Sequence, residues 1–324
     1  MSTSTVIWSD DVLEEIQRLD ELGAVHKVKD KHTGKIMVRK TIAAEHGQME
    51  HLQRELFIIS SFEHINIISF HGTYIPSSPR HEVKILIEFC GGGSLDAIGT
   101  RIKECNAVIG ESIASRLAEG ILQGLAYLDT KRIIHREIKP SNILISREGI
   151  VKLSDIGITY GLVNSFGVVS STLSRYVSPE RICGLKYTIR SDVWSTGVCL
   201  LELVQNRYPF PSDLPPIELM MYITSGDSPQ LEDNVDIQWS PDMKDFFKKM
   251  LNIDGLTRPT PTDMLAHPWV VNNMKQPHSP MARWIRMVWG WPRDESSSAQ
   301  SDSSPLSGIR TESPHASSDS RHQT

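Results

Sequence analysis

Three consecutive glycines, at positions 91–93, divide this sequence into two parts whose apolar residues repeat with different periods. Before them, LDELGAV, HKVKD and KIMVRKTI alternate apolar and polar residues, which predicts three short antiparallel strands over residues 17–42. A helix is predicted over residues 47–60, and NIISFHGTY and EVKILIEF predict two further strands. After the glycines the patterns are those of long helices, so we place a domain boundary there. The sequence predicts an α+β protein with a small β-rich part before a larger helical part.

The second part is predicted to be mainly helical up to its polar tail. Helices are expected in ASRLAEGILQGLAYLDT, RSDVWSTGVCLLELVQ and PDMKDFFKKMLN, and the connections between them carry most of the unusual polar residues. From about residue 292 the chain is rich in Ser, Asp and Pro and has almost no large apolar residue. Such a segment cannot bury enough apolar surface to offset its conformational entropy, so we expect residues 292–324 to be disordered.

Composition excludes some classes of function. A formal net charge of −5 and a pI near 6.2 give the chain no general electrostatic attraction for nucleic acid, so we expect no nucleic-acid partner. The longest apolar run, VWSTGVCLLELV, is too short to cross a bilayer and contains polar residues, so we expect a buried helix and no membrane partner. The four cysteines show no C-x-x-C spacing and no charged-then-apolar leader is visible, so we expect a cytoplasmic or nuclear location.

The most informative segments for chemistry are IIHREIKPSNILI and VKLSDIG. They supply the carboxylate of Glu137, then Lys139, Asn142 and, after a short predicted strand, Asp155. Phosphoryl transfer from ATP needs a group that orients the attacking hydroxyl, a cation for the moving phosphate and oxygen ligands for Mg²⁺. Each residue alone is explained equally well as a solvated loop charge. All four types at these spacings favour phosphoryl transfer.

These segments resemble those of the eukaryotic protein kinases, and the resemblance extends over roughly residues 15–275. It implies a bilobal fold with a small β-rich lobe, a large helical lobe, and ATP with Mg²⁺ in the cleft. It implies that Lys40 holds the phosphates with Glu55 as its partner on the helix. Glu137 and Lys139 would act on the substrate hydroxyl and the transferred phosphate, and Asn142 and Asp155 would bind Mg²⁺.

The same resemblance assigns a nucleotide pocket and a substrate platform. Glu88, Phe89 and Cys90 look like the adenine-binding hinge, and Val25 looks like the residue over the base. The nucleotide-binding set that it implies is Val25, Val38, Lys40, Glu88, Cys90, Ser94, Asn142, Leu144 and Asp155. The SPER segment is similar to the A-P-E element, SDVW to the structural aspartate after it, and TRPT supplies Arg258, the expected buried partner of Glu180.

Within the kinases, HREIKPSN, GGGSLD, LVNS, YVSPERI and ARWIRMVWGWP resemble the MAP kinase kinases, particularly the fungal pheromone and filamentation type. This implies a downstream MAP kinase as substrate and an upstream MAP kinase kinase kinase that phosphorylates Ser165. The implied layout is a flexible N-terminus at 1–10, lobes at 11–90 and 91–275, a docking helix at 276–291 and a disordered tail at 292–324.

The sequence departs from the kinase pattern most clearly in its first hairpin. ELG runs straight into AV, so about five residues are missing from the glycine-rich loop and only Gly23 remains. We expect the shortened lid not to reach the γ-phosphate, which removes backbone N–H donors and positional control. A mis-called intron would leave the same gap in the sequence.

Other departures are single residues. Glu137 stands where the family has aspartate and reaches one methylene further; an error of about 1 Å there can cost on the order of 10²-fold in rate. Val169 replaces the second phosphosite, and Leu173 replaces a threonine that bonds to the catalytic loop. Ile156 replaces the phenylalanine of D-F-G, which is a mild change, and Val38 replaces an alanine and is expected to crowd the base.

A stripe near the end of the chain allows two interpretations. In MARWIRMVWGW the residues Trp284, Met287, Val288 and Trp291 are expected to share one helical face. The stripe is consistent with a membrane- or partner-binding helix, but most such stripes pack on their own domain. By the resemblance, this region docks against the upstream kinase.

Three functions are consistent with these observations. The first is a MAP kinase kinase that phosphorylates Ser or Thr and Tyr of a MAP kinase. The second is a catalytically impaired scaffold that keeps the kinase fold and its docking surfaces. The third, a phosphotransferase acting on small molecules, is disfavoured because the SPER region resembles a platform for a protein substrate.

Overall fold

The computed structural model describes residues 8–21, 23–43, 49–77, 82–156, 175–234, 237–275, 281–292 and 309–311. The first part is a five-stranded antiparallel sheet with one helix, which confirms the α+β class. The strand predicted in LDELGAV was wrong: the first strand ends at Arg18, and the Asp20 carboxylate accepts the backbone N–H groups of Ala24 and Val25 in the connection that follows it. Its elements are β1 (Leu13–Arg18), β2 (Val25–Asp30), β3 (Ile36–Ala43), α1 (Met49–Ser60), β4 (Phe70–Tyr74) and β5 (Glu82–Glu88). The order of the strands is β1-β2-β3-β5-β4, so β3 lies in the middle of the sheet.

Both faces of this sheet bury apolar side chains, because alternate residues of each strand point to opposite faces. One cluster includes the apolar side of α1 and consists of Val38, Leu52, Leu56, Ile68, Val83, Ile85, Ile87 and Cys90. On the other face, Trp8 and Val12 pack against Leu13, Val28, Met37, Tyr74 and Leu86. The indole N–H of Trp8 donates to the carbonyl of His71 at 3.1 Å, which holds the N-terminal segment on the sheet.

The second part is mainly helical. Its first elements are β6 (Gly93–Ser94), α2 (Leu95–Glu104), β7 (Ala107–Ile109), α3 (Glu111–Thr130), β8 (Ile143–Ile145) and β9 (Val151–Leu153). They are followed by α4 (Pro179–Ile182), α5 (Ile189–Gln205), α6 (Pro216–Ser225), α7 (Pro241–Met250), α8 (Pro261–Leu265), α9 (Pro268–Met274) and α10 (Met281–Trp289). The helices α3 and α5 lie in the core, where Ile121, Leu122 and Val193 are fully buried.

Two glycines let α3 pack closely on the neighbouring hairpin. A Cβ atom at Gly120 would lie 2.7 Å from Val151, and one at Gly124 would lie 2.9 Å from Leu153. Since carbon atoms do not approach so closely, only glycine allows this contact between α3 and β9. The contact fixes the strand that precedes Asp155.

The prediction of a C-terminal helix is confirmed, but the predicted buried face was partly wrong. Helix α10 buries Trp284, Ile285 and Val288, whereas Met287 is 39% exposed and Trp291 lies beyond the end of the helix at Trp289. At about 100° per residue the centre of the buried stripe lies between Trp284 and Ile285, so Met287 falls at its edge. The helix packs on its own domain, and its docking to an upstream kinase stays a prediction.

Most of the tail, and with it most of the predicted disorder, lies outside the described residues. Residues 309–311 contradict that prediction, because they form the strand β10 (Ile309–Thr311), antiparallel to β7. In the described part of the chain, no helix combines the length and the apolar character that crossing a membrane requires.

Candidate active site

Two short strands carry the residues predicted to bind the metal. Asn142 ends a turn of 3₁₀ helix directly before β8, and Asp155 closely follows β9. The backbone N–H and the hydroxyl of Ser154 both donate to the carbonyl of Asn142, at 3.0 and 3.2 Å. The β8–β9 hairpin therefore fixes Asn142 beside Asp155.

Lys40 meets Asp155 across the cleft between the two parts. Lys40 lies on β3, where it is opposite Val25 of β2 and Ile85 of β5, and its ammonium group forms an ion pair with the Asp155 carboxylate. Burial raises the pKa of Asp155, but the charge and hydrogen bond of Lys40 outweigh it and hold this pKa below its usual value. Asp155 is therefore a carboxylate, the form that binds a divalent cation.

Glu55, the predicted partner of Lys40, lies on α1 and is partly buried. Within the described residues, the ion pair of Lys40 is formed with Asp155 and not with Glu55. A lysine–glutamate pair at these positions is part of the assembled kinase site. The Lys40–Glu55 pair therefore stays a prediction.

The loop before β8 brings the other predicted residues together. The ammonium group of Lys139 lies 2.6 Å from the Glu137 carboxylate, and the side-chain N–H of Asn142 donates to the Glu137 carbonyl at 3.0 Å. We call residues 135–142 the catalytic loop.

The predicted structural aspartate, Asp192, holds this loop from α5. Its buried carboxylate accepts the backbone N–H groups of His135 and Arg136, at 2.7 and 2.9 Å. Burial raises the pKa of Asp192 to about 6, although these two hydrogen bonds oppose the shift. Near neutral pH the group is mainly a carboxylate, which is the form that accepts both bonds.

A small, solvent-open pocket lies beside Glu137. Its lining is Arg136, Glu137, Ile138, Lys139, Tyr176, Val177, Arg181 and Ser195. The guanidinium of Arg181 donates to the carbonyl of Arg136 at 2.6 Å, which connects the SPER segment to the catalytic loop. The sequence pattern did not single out Arg181, because its partner is a backbone atom far away in the chain.

The SPER segment is anchored as predicted. The two terminal guanidinium nitrogens of Arg258 lie 2.8 and 3.0 Å from the carboxylate oxygens of Glu180, and Arg258 is fully buried. Burial raises the pKa of Glu180, but Arg258 and the hydroxyl of Ser191 lower it to about 2. This bidentate pair fixes α4 and with it the wall of the pocket.

The residues predicted to surround the base also come together. Val38 and Cys90 belong to the apolar cluster under the sheet, and Val25 and Leu144 pack against it. Burial raises the pKa of the Cys90 thiol to about 12, so this thiol is neutral. Ser94 lies at the start of α2, where its hydroxyl accepts the N–H of Ala97 at 3.2 Å.

Glu88 of the hinge makes a contact that the sequence did not predict. Its carboxylate lies 3.0 Å from the ammonium group of Lys152, which is 7% exposed. The same carboxylate accepts the backbone N–H of Ser69 at 3.2 Å. Glu88 therefore links the hinge to β9, the strand that leads to Asp155.

The shortened hairpin is closed by one of its own side chains. The Asp20 carboxylate accepts the backbone N–H groups of Ala24 and Val25, both at 3.0 Å, and the preceding Gly23 has a φ of 75°. Burial raises the pKa of Asp20, but the backbone hydrogen bonds outweigh it and lower this pKa. Two N–H groups at the point where a glycine-rich loop would bind phosphate are thus already bonded to a carboxylate.

Of the remaining departures from the kinase pattern, the structure describes one and leaves the others outside the described residues. Ile156 is 3% exposed and belongs to the apolar core, as expected for a mild replacement. Ser165, Val169 and Leu173 lie outside the described residues, so the phosphosite and the two departures after it stay predictions.

Comparisons with known proteins identify the family of the chain. The family described as "Protein kinase domain" matches residues 21–270. A mitogen-activated protein kinase kinase, MKK2, of Pyricularia oryzae is 40% identical over 285 residues, which cover 83% of this chain and 53% of that protein. The MAP kinase kinase skh1/pek1 of Schizosaccharomyces pombe is 39% identical over 273 residues, which cover 82% of this chain and 75% of that protein.

A more distant relative supports the same grouping. The dual specificity mitogen-activated protein kinase kinase dSOR1 of Drosophila melanogaster is 33% identical over 290 residues, which cover 79% of this chain and 71% of that protein. The chain spans about half the length of several of the curated relatives that it matches.

Proposed function

The chain belongs to the MAP kinase kinase group of the protein kinases, and from this premise we propose that it transfers phosphate from ATP to a MAP kinase. The acceptors would be a Ser or Thr hydroxyl and a Tyr hydroxyl of that protein. An upstream MAP kinase kinase kinase would phosphorylate Ser165. The names of the relatives support this choice of partners, and the narrower likeness to the pheromone and filamentation type stays a prediction.

One observation carries the proposal. The ionised Asp155 faces Lys40, next to Asn142, while Glu137 and Lys139 line the adjoining pocket. The proposed metal ligands, the proposed phosphate-binding lysine and the proposed group for the substrate hydroxyl are therefore close together, which supports phosphoryl transfer.

The residues fit Mg²⁺. Asp155 offers a carboxylate that is held ionised, and the N–H of the Asn142 amide is bonded to Glu137, which leaves its oxygen as the ligand atom. When bound, Mg²⁺ would neutralise charge on the phosphates. Lys40 would hold the phosphates, Glu137 would orient the hydroxyl of the substrate and Lys139 would stabilise charge on the transferred group.

The location that we propose is the cytoplasm or the nucleus. All four cysteines are free, and Cys105 and Cys183 are exposed. Free exposed thiols are typical of a reducing compartment, which supports the proposal.

Thermal unfolding of the full chain with and without Mg²⁺ and ATP tests the proposal. Ligand at about 100 times its Kd stabilises a fold by about 2.7 kcal/mol, so we expect a rise of a few degrees in the unfolding temperature. Asp155→Asn is the control and should remove the part of the shift that depends on Mg²⁺. It should also lower phosphate transfer to a MAP kinase by on the order of 10³-fold, since it weakens a metal ligand at the site where charge develops.

The absence of both ATP binding and phosphate transfer would contradict the proposal. If millimolar ATP with Mg²⁺ produced no shift and no transfer to a panel of MAP kinases, the proposed activity would be rejected. A scaffold that binds both kinases without catalysis would then be the function to test.

A further inference from the structure

The three glycines that divide the sequence form a connector, residues 91–93, between the hinge and helix α2. Glycine loses more conformational freedom on folding than any other residue, and it has no side chain that could hold it in place. The order of the connector must therefore come from its backbone hydrogen bonds and from the residues that pack on it.

The backbone of Gly92 is bonded on two sides. Its N–H donates to the carbonyl of Ile145 at the end of β8, at 2.9 Å. Its carbonyl accepts the indole N–H of Trp289, also at 2.9 Å, from the end of helix α10. A Cβ atom at Gly92 would lie 2.7 Å from the carbonyl oxygens of Ile145 and Ser146, so the approach to β8 requires glycine.

The ring of Trp289 also covers the next residue. Gly93 has a φ of 83°, and a Cβ atom there would lie 3.3 Å from the Trp289 ring. The N–H of Gly93 donates to the carbonyl of Cys90 at 3.2 Å. Trp289 therefore contacts the turn that fixes the carbonyl of Cys90, a residue of the hinge.

Helix α10 gives Trp289 a rigid support. Trp284, Ile285 and Val288 are buried in the helical part, and the side chain of Arg101 donates to the Val288 carbonyl at 3.4 Å. These contacts do not involve the connector. The helix can thus hold the connector in place from outside it.

We propose that Trp289 is a positioning residue that holds the connector, and through it the hinge, in the geometry that binds the adenine of ATP. The effect on the nucleotide rests on the proposed function, whereas the effect on the connector does not. The proposal assigns to the C-terminal helix a role in the nucleotide site that its sequence pattern did not indicate.

Trp289→Phe tests the proposal in the full chain, because phenylalanine keeps a ring but loses the N–H donor. Trp291→Phe is the matched control, since the indole bond to the Gly92 carbonyl comes from Trp289, whereas the Trp291 ring lies over the side chain of Arg147, whose guanidinium carbon is 5.0 Å from its centre. Amide hydrogen exchange is measured for the peptide that covers residues 89–95, and the Kd for ATP with Mg²⁺ is measured for the same proteins. A third variant, Trp289→Ala, removes the ring as well.

We expect Trp289→Phe to speed exchange in this peptide by about fivefold, the effect of losing one hydrogen bond, and Trp289→Ala to speed it further. The Kd for ATP should rise by a similar factor. Exchange of peptides elsewhere in the helical part should stay unchanged, which shows that the variants are folded. Trp291→Phe should leave both quantities as in the wild type.

Two results would overturn the proposal. One is unchanged exchange of residues 89–95 in both Trp289 variants; the other is equal acceleration in Trp291→Phe. If the wild type did not bind ATP at all, the proposed function would fail, and the exchange data would still decide whether Trp289 holds the connector.

Discussion

The hairpin tip over the nucleotide site and the catalytic loop below it are held in different ways. The tip between β1 and β2 is closed locally, by Asp20 bonding to Ala24 and Val25. The catalytic loop is held from a distance, by Asp192 of α5 bonding to His135 and Arg136. The first region departs from the kinase pattern, and the second keeps all but one of its residue types.

This difference indicates where a catalytic deficit would arise. The hairpin has fewer N–H groups for phosphate, so we expect weaker binding and looser placement of ATP. The catalytic loop keeps a carboxylate, a lysine and an asparagine in mutual contact, so a deficit there would come from the position of the Glu137 carboxylate and would fall on the chemical step. Changes to each region should therefore alter different kinetic constants.

The largest expected effect concerns pH and the catalytic loop. Burial lowers the pKa of His135 to about 4, although Asp155 and Glu137 oppose this shift. The unfolded chain binds a proton at this histidine below its usual pKa of 6.5, and the folded protein does so only near 4. His135 should therefore contribute a loss of stability of up to about 3 kcal/mol as the pH decreases from 6.5 to 4, and the raised pKa of Asp192 acts in the opposite direction below about 6.

Chemical denaturation at a series of pH values measures this loss. His135→Asn has no group that titrates in that range, so its free energy of unfolding should change less with pH than that of the wild type. Equal slopes for the two proteins would show that groups other than His135 cause the acid sensitivity.

The sequence predicted what depends on local pattern. Strands β2 to β5, α1 and the long helices follow from apolar periodicity, and the residues around Glu137 and Asp155 follow from motif spacing. The first strand was placed too late in the chain, because the alternation of LDELGAV continues through the turn that Asp20 closes. Contacts with backbone atoms were missed, because a motif does not record which carbonyl or N–H a side chain will reach. Asp20, Arg181 and Trp289 are of this kind.

Glu137→Asp tests whether the position of the carboxylate in the catalytic loop limits the chemical step. Aspartate is the residue of the kinase pattern, and it withdraws the carboxylate by one methylene from its position 2.6 Å from Lys139. If this position limits the chemical step, kcat should rise by about tenfold while the KM for ATP stays constant. Steady-state transfer to a MAP kinase measures both constants, and a change in KM alone would contradict the assignment of Glu137 to the substrate hydroxyl.

Asp20→Asn has the smallest expected effect and tests the hairpin. Asp20 accepts the two N–H groups with different oxygens, so asparagine keeps one of these hydrogen bonds, loses the other and removes the negative charge next to the predicted phosphate site. We expect the Kd for ATP to fall by about threefold, with little change in kcat, because a partly exposed charge acts weakly through solvent. Glu21→Gln removes the same charge at the neighbouring exposed residue and is the matched control. An equal gain in affinity for both variants would mean that net charge, and not the bond from Asp20 to the hairpin, limits the binding of ATP.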